Sequence, residues 1–324
     1  MTVRAFVLSG GGAKGAWQVG AMQRVLERLD QQVDAFFGVS TGALSAAMLA
    51  QGFTLAEQRQ QLDELARIYS TEIHGNSSIY LGPRTTIGKG LKLLRRQLFG
   101  ADPALFNPAP LAALIERHIS TERLAVGAYF ACGCVDVATG DYVLVDRHSP
   151  NVRRAILASA SMPIFFPPVD VYGDGGTFLD GGLRSITPLR DAVRWLKQQP
   201  DPQRELYVFL TSPLTVTEQR PRPWSPTRIA SRSLEIVLNT IYRADLLELR
   251  NRNRALLNGL MGDMLRWDGA PPPAVRTPPA SVLIKTAVMA PALHLAGHAL
   301  DFSPDLLDQY LADGYNSYPE DPRA

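Results

Sequence analysis

The chain has 324 residues, of which 46% are hydrophobic and 20% are charged, and its formal net charge is +2. These proportions are typical of a globular protein with a large apolar core and exclude a predominantly disordered chain. The small net charge argues against a nucleic-acid partner, because binding to phosphates requires clustered lysine and arginine.

The amino-terminal segment predicts a strand rather than a targeting signal. Residues 1–8 lead into glycines without the apolar core and cleavage site of a signal peptide. No apolar run approaches the roughly 20 residues that span a bilayer. Cys132 and Cys134 lie two positions apart in a predicted strand, where a disulfide would strain the backbone, so we expect both to be reduced. The sequence therefore predicts a cytoplasmic protein whose contact with a membrane would be peripheral.

The first elements alternate between strand and helix. Residues 3–8 and 33–37 are apolar runs that predict buried strands, and residues 15–29 carry apolar side chains at helical spacing. Residues 42–50 are rich in alanine and leucine, which favours a second helix. This order predicts a parallel sheet covered by helices on both faces. Further strands are predicted at residues 129–135, 142–145, 206–210 and 282–288.

The whole chain, residues 1–324, is interpreted as one domain. Its core comprises about residues 1–195, with 205–212 and 281–290. A lid-like insertion is expected at about 70–110 and a long amphipathic helix at about 226–258. Within the insertion, residues 88–99 combine leucines on one helical face with surrounding lysines and arginines. That pattern fits either an interfacial helix for anionic membranes or a solvated cover helix.

The first of three glycine-bearing turns is SGGGAKG at residues 9–15, between a strand and a helix. It contains GxGxxG, but a dinucleotide-binding turn also needs an acidic residue at the end of the second strand, and Asp34 lies at its start. A P-loop is excluded because Ala16 and Trp17 follow Gly15. The turn either offers backbone amides to a developing oxyanion or serves strand-to-helix packing alone.

The second turn is GVSTG at residues 38–42, which places Ser40 in a GxSxG pattern after a strand and before a helix. This context is typical of a nucleophile elbow, in which the serine projects from the edge of the sheet. The alternative is a serine that only caps the helix.

A serine nucleophile needs a base, and the histidines at positions 74, 118, 148, 294 and 298 are the first candidates. None lies in a glycine turn, and Ser40 follows only two strands, which is unlike a hydrolase with a histidine triad. The third turn, TFLDGG at residues 177–182, offers Asp180 instead. Asp180 is either this base or the cap of a surface turn.

Together, SGGGAKG, GVSTG and LDGG resemble the patatin-like phospholipase family, and residues 158–168, 187–189 and 302–315 also look family-like. The resemblance implies an α/β fold: a doubly wound three-layer α/β/α sandwich with a mostly parallel sheet. It implies a Ser/Asp dyad without histidine, metal or cofactor. Carried over by position, Ser40 is the nucleophile and Asp180 the base. The oxyanion hole is assigned to Gly10, Gly11, Gly12, Ala13, Lys14 and Gly15, supported by Gly38, Gly42, Gly181 and Gly182.

The function implied by the resemblance is hydrolysis of acyl esters of phospholipids or other lipids. An esterase or thioesterase acting on soluble acyl substrates is one alternative, and a non-catalytic regulatory or scaffold protein that retains the fold is another. The partners are then a lipid or acyl-ester substrate and an anionic membrane contacted through residues 88–99, with the oligomeric state left open. If the dyad is correct, the Ser40 hydroxyl and the Asp180 carboxylate lie near hydrogen-bond range beside the glycine amides.

Overall fold

The computed structural model describes residues 2–82, 104–201, 203–213, 284–292 and 295–317, together with scattered positions between 229 and 251. Within these residues the chain forms a seven-stranded sheet. Its strands are β1 (Thr2–Leu8), β2 (Ala35–Gly38), β3 (Tyr129–Asp136), β4 (Tyr142–Asp146), β5 (Phe178–Asp180), β6 (Gln203–Phe209) and β7 (Lys285–Met289).

The sheet is mostly parallel and is ordered β4-β3-β2-β1-β6-β7. The strands β1, β2, β3, β6 and β7 run parallel, whereas β4 and β5 are antiparallel to β3. In β1, residues 5–8 are fully buried. Burial on both faces explains why the central strands are continuous apolar runs rather than alternating patterns.

Helices cover both faces of the sheet. On one face, Phe6 and Phe36 join a large apolar cluster with the helices Gly15–Leu26, Thr41–Ala50 and Pro304–Asn316. On the other face, Val7 and Phe37 pack with the helix Leu189–Gln198. This is the three-layer α/β/α sandwich. The described helices are α1 (Gly15–Leu26), α2 (Thr41–Ala50), α3 (Leu55–Arg67), α4 (Ala109–His118), α5 (Thr121–Val126), α6 (Val152–Ser159), α7 (Leu189–Gln198) and α8 (Pro304–Asn316).

The short strand β5 occupies an unusual place beside β3. One edge of β3 pairs with β4, and the other edge pairs first with β2 and then, beyond the end of β2, with β5. Gly38 at the end of β2 lies opposite Cys132, and Asp180 at the end of β5 lies opposite Cys134. Two residues of a strand span about 7 Å, so the turns that follow β2 and β5 meet next to Gly133.

Most predicted elements of the core are confirmed. The strands predicted at 3–8, 33–37, 129–135, 142–145 and 206–210 correspond to β1, β2, β3, β4 and β6. The first helix ends at Leu26 rather than at residue 29, and β7 begins at Lys285, with residues 282–283 outside the described residues. Both cysteines are buried free thiols.

Several predicted segments lie outside the described residues. Residues 83–103, which include the amphipathic run at 88–99, are among them, as is most of the predicted helix at 226–258. Within that helix, Ile241 is helical and packs on the apolar cluster that also contains α7. In the described parts of the chain, no helix is long and apolar enough to cross a membrane. The division of the chain into a single domain with a lid stays a prediction.

Candidate active site

Ser40 occupies a sharp turn between β2 and α2. Its φ of 57° and ψ of −128° lie in a region that residues with a side chain rarely adopt. The turn is tight because a Cβ at Gly38 would lie 2.2 Å from the Gly42 carbonyl oxygen, and one at Gly42 would lie 2.2 Å from the Leu8 carbonyl oxygen. Backbone strain of this kind costs about 1–3 kcal/mol and persists only where the surrounding structure enforces it.

A buried serine outside the three glycine-bearing turns holds this turn in place. Ser159, at the end of α6, accepts a hydrogen bond of 3.0 Å from the Ser40 amide and donates one of 2.6 Å to the Gly133 carbonyl oxygen. Ser159 is fully buried. It therefore ties the strained backbone of Ser40 to the middle of β3. Ser159 lies in the family-like segment 158–168, but no local pattern predicts its contact with Ser40, which is 119 positions away.

Asp180 ends β5 and is almost completely buried. Its amide donates to the Ser161 carbonyl oxygen at 3.0 Å, and its Oδ1 accepts from the Gly182 amide at 2.8 Å. The Ser40 side chain lies close enough to the carboxylate to lower its pKa. A Cβ at Gly181 would lie 2.3 Å from the Gly133 carbonyl oxygen, so this turn follows β3 as closely as the Ser40 turn does.

The environment of Asp180 makes its carboxylate a stronger base than an exposed one. Burial raises its pKa from 3.8 to about 6, and the hydrogen bonds from the Gly182 amide and the Ser40 hydroxyl oppose that rise. A pKa in this range lets the group be ionised near neutral pH while it still accepts a proton readily.

Most amides of the predicted oxyanion turn already have hydrogen-bond acceptors. The Gly10 amide donates to the Ile186 carbonyl oxygen, and the Ala13 amide donates to the Ala299 carbonyl oxygen. The amides of Lys14 and Gly15 donate to carbonyl oxygens within the turn itself. Within the described residues, the amides of Gly11 and Gly12 have no acceptor, and neither does that of Thr41 at the start of α2.

The position of Gly12 depends on the absence of a side chain. Its φ is +58°, and a Cβ there would lie 1.9 Å from the Ala299 carbonyl oxygen. A buried hydrogen-bond network holds the preceding residues. The Thr211 hydroxyl donates to the Gly10 carbonyl oxygen at 2.6 Å, and the side-chain amide of Gln18 donates to the Ser9 carbonyl oxygen at 2.9 Å. The two glycine amides are therefore part of a rigid turn.

A cavity with an empty volume of about 830 Å³ begins at this site. Gly12, Ser40 and Thr41 line its polar end, where the Thr41 hydroxyl lies 3.1 Å from the Tyr69 hydroxyl. This volume includes the part of the cavity that is open to solvent. The rest of the lining is almost entirely apolar: Leu44, Met48, Leu65, Ile68, Ile73, Ile79, Leu111, Leu114, Ile115, Ile119, Ala160, Met162, Phe166, Leu300 and Phe302, with His118 among them.

The described histidines have contacts away from Ser40. His118 lies 3.1 Å from a Glu72 oxygen, and His148 accepts from Arg147 at 3.4 Å. His298 accepts from the Leu300 amide at 3.2 Å. His294 lies outside the described residues. In the described part of the chain, the titratable side chain that interacts with Ser40 is the carboxylate of Asp180.

Known proteins that are similar to this chain come from Bacillus subtilis, Escherichia coli and Legionella pneumophila, among others. It is 29% identical over 205 residues to YqhO of Bacillus subtilis (strain 168), an uncharacterized protein, and the match covers 56% of this chain and 64% of YqhO. It is 24% identical over 246 residues to the cUMP-AMP-activated phospholipase of Escherichia coli, covering 72% of this chain and 71% of that protein. The crystal structure of VipD from Legionella pneumophila matches with a TM-score of 0.38 and 12% identity, covering 98% of this chain and 66% of VipD.

The chain thus spans less than two thirds of YqhO and of VipD. The model of the patatin-like phospholipase family matches residues 6–193, which is more than half of the chain. The chain therefore belongs to the patatin-like phospholipase family.

Proposed function

We propose that this protein is a serine acyl hydrolase that cleaves acyl esters of lipids, with Ser40 as nucleophile and Asp180 as base. The observation that carries the proposal is that the Ser40 side chain interacts with a buried carboxylate whose pKa is raised to about 6, at the head of an apolar cavity. A serine hydroxyl attacks a carbonyl only when a neighbouring group takes its proton, and Asp180 is a neighbouring carboxylate with a suitable pKa.

In the first half of the reaction, the ionised Asp180 accepts the proton of the Ser40 hydroxyl while Oγ attacks the ester carbonyl carbon. The negative charge that develops on the carbonyl oxygen is stabilised by the unpaired amides of Gly11 and Gly12. The positive end of the α2 dipole, which begins at Thr41, favours the same charge. Collapse of the intermediate breaks the ester bond, and the leaving alkoxide takes the proton from Asp180.

In the second half, Asp180 accepts a proton from water, and the hydroxide oxygen attacks the carbonyl carbon of the acylated Ser40. The same amides stabilise the second oxyanion. Expulsion of Ser40 Oγ, which recovers its proton from Asp180, releases the carboxylic acid. No group beyond the dyad and the two amides is needed for proton or charge balance.

The lining of the cavity favours a lipid as the acyl donor. Beyond Ser40 the cavity is bounded by leucine, isoleucine, methionine and phenylalanine side chains, which gain free energy by burying methylene groups but offer few partners to a polar acyl group. The named activity of the Escherichia coli relative is that of a phospholipase, which supports phospholipid as the lipid class to test first.

Labelling with a fluorophosphonate probe tests the nucleophile. We expect the native protein to be labelled and Ser40→Ala to be unlabelled. Ser45→Ala is the matched control, because Ser45 lies on the same helix, is fully buried and has an unpaired hydroxyl in the described structure. Labelling that survives Ser40→Ala would disprove the assignment, and a native protein that does not label at all would favour the scaffold alternative.

A comparison of substrates tests the lipid assignment. We expect phospholipid in mixed micelles to be cleaved with a higher kcat/KM than acetyl esters or short acyl thioesters, because only the lipid fills the apolar cavity. A higher kcat/KM for the short soluble substrates would instead support the esterase or thioesterase.

A further inference from the structure

The apolar cavity follows the helix that begins at the proposed nucleophile. Leu44 and Met48 line it at an interval of four residues and therefore lie on one face of α2, which begins directly after Ser40. At the end of this helix, the Gln51 side chain donates a hydrogen bond of 3.0 Å to the His118 carbonyl oxygen. His118 also lines the cavity, so the cavity extends from Ser40 to the region where α2 ends.

A cluster of ion pairs surrounds the ring nitrogens of His118. Its Nε2 lies 3.1 Å from Glu72 and its Nδ1 lies 3.7 Å from Glu64. Both glutamates also pair with Arg67 at 2.6 Å, and Glu72 pairs with Arg117 at 3.1 Å. Both ring nitrogens therefore face carboxylates, and what the ring contributes to the cavity wall is its carbon atoms.

This cluster contains three side chains that could hold a metal ion, Glu64, Glu72 and His118. Two arginines already supply the positive charge that the glutamates require, and the shortest contacts are those to Arg67. These ion pairs therefore hold the imidazole ring in one orientation.

We propose that His118 closes the far end of the acyl cavity and sets the longest acyl chain that the protein accepts without rearrangement. The proposal rests on the acyl hydrolase function argued above. Ser40 and Gln51 lie eleven positions apart, which corresponds to about 16 Å of helix at about 1.5 Å per residue. An extended chain advances about 1.2 Å per bond, as a polypeptide backbone does, so about 13 bonds fit. Laurate and myristate fit this length, whereas palmitate and stearate displace His118 from its carboxylates.

The test is the chain-length profile of kcat/KM for matched esters from butyrate to stearate. In the native protein we expect kcat/KM to rise up to laurate or myristate and to fall for palmitate. In His118→Ala the rise should continue to palmitate, with about a fourfold gain for each methylene newly accommodated. Glu116→Ala is the matched control, because Glu116 lies on the same helix and is exposed toward Arg153. Its profile should equal the native one. An identical ratio of palmitate to laurate in His118→Ala and the native protein would overturn the proposal.

A second variant covers a failure of His118→Ala to fold. Met48→Phe narrows the same cavity about 12 Å from Ser40, estimated from the rise of eight helical residues, and should move the optimum to octanoate or decanoate. An unchanged optimum in this variant would also contradict the proposal.

A binding experiment separates this inference from the proposed function. Equilibrium binding of free fatty acids to Ser40→Ala reports the length limit without turnover, and the limit should shift in Ser40→Ala combined with His118→Ala. If the native protein hydrolyses no ester but the binding limit shifts, the hydrolase proposal fails and the role of His118 in acyl length stands. If esters are cleaved but neither the hydrolysis limit nor the binding limit shifts, the hydrolase proposal stands and the role of His118 in acyl length fails.

Discussion

Replacement of Asp180 by asparagine should stabilise the folded protein at neutral pH while it abolishes hydrolysis. The substitution keeps the size of the side chain and an Oδ1 acceptor for the Gly182 amide, and it removes the buried negative charge. Burial is the main reason that the pKa of Asp180 is about 6 rather than 3.8, so the ionised carboxylate is destabilising at neutral pH.

The size and sign of the effect follow from proton linkage. Between pH 3.8 and about 6, the folded protein holds a proton that the unfolded chain releases, so native stability falls as the pH rises through this window. At about 1.36 kcal/mol per pKa unit, the rise from 3.8 to about 6 corresponds to about 3 kcal/mol. We expect Asp180→Asn to be up to about 3 kcal/mol more stable than the native protein at pH 7 and to lose that advantage below about pH 4.

Urea unfolding followed by tryptophan fluorescence, measured from pH 4 to pH 8, is the assay. Asp170→Asn provides a control of opposite sign, because hydrogen bonds, first from the Gly173 amide and then from that of Gly175, lower the pKa of this surface carboxylate. Its replacement should destabilise the protein at neutral pH, and the difference should disappear in acid. A stability difference between Asp180→Asn and the native protein that does not vary with pH would refute the reasoning, as would a less stable variant at pH 7.

Three further results are expected. The kcat/KM of the native protein should rise tenfold per pH unit below about 6 and level off above it, since Asp180 must be ionised; a profile flat from pH 5 to 8 would contradict this. Ser159→Ala should slow fluorophosphonate labelling by about ten- to hundredfold, through the loss of about 1–3 kcal/mol of buried hydrogen bonding, with KM unchanged. Ser161→Ala is its control, because Ser161 contacts the Asp180 amide through its backbone carbonyl, and equal slowing in both would argue against a positioning role. Gly12→Ala should lower kcat by about a hundredfold or more, since the new Cβ would meet Ala299; native-like turnover would exclude Gly12 as an oxyanion donor.

The sequence was informative wherever a local pattern determines local structure. The apolar runs of β1 and β2 and the glycines around Ser40 indicate a strand, a tight turn and a helix within a dozen residues, and the structure has them there. The same holds for the turn at Asp180, where paired glycines indicate a close approach to another element. The register of β5 on β3 was not readable, because three residues carry no periodicity and their pairing is set by contacts over 40 positions away.

Other parts of the candidate site depend on long-range contacts that no motif encodes. The assignment of six amides to the oxyanion hole treated the glycine turn in isolation, whereas the structure uses Gly10 and Ala13 to fasten the turn to Ile186 and Ala299. His118 looked like an ordinary residue near a helix end, and its place in the cavity wall follows from the packing of α4 against the cavity. Such contacts depend on which distant elements become neighbours, and that is a property of the whole fold.

The end-to-end arrangement of β2 and β5 along β3 has a consequence for folding kinetics. The hairpin of β3 and β4 closes over a few residues, whereas β2 and β5 reach β3 from about 95 and 45 positions away. Contacts between residues so far apart in the sequence have a larger entropic cost of loop closure than the hairpin contacts, and they therefore form later. During refolding, labelling of Ser40 by the fluorophosphonate probe should therefore appear after most of the helical circular-dichroism signal has returned. The labelling then reports when β2 and β5 have paired with β3.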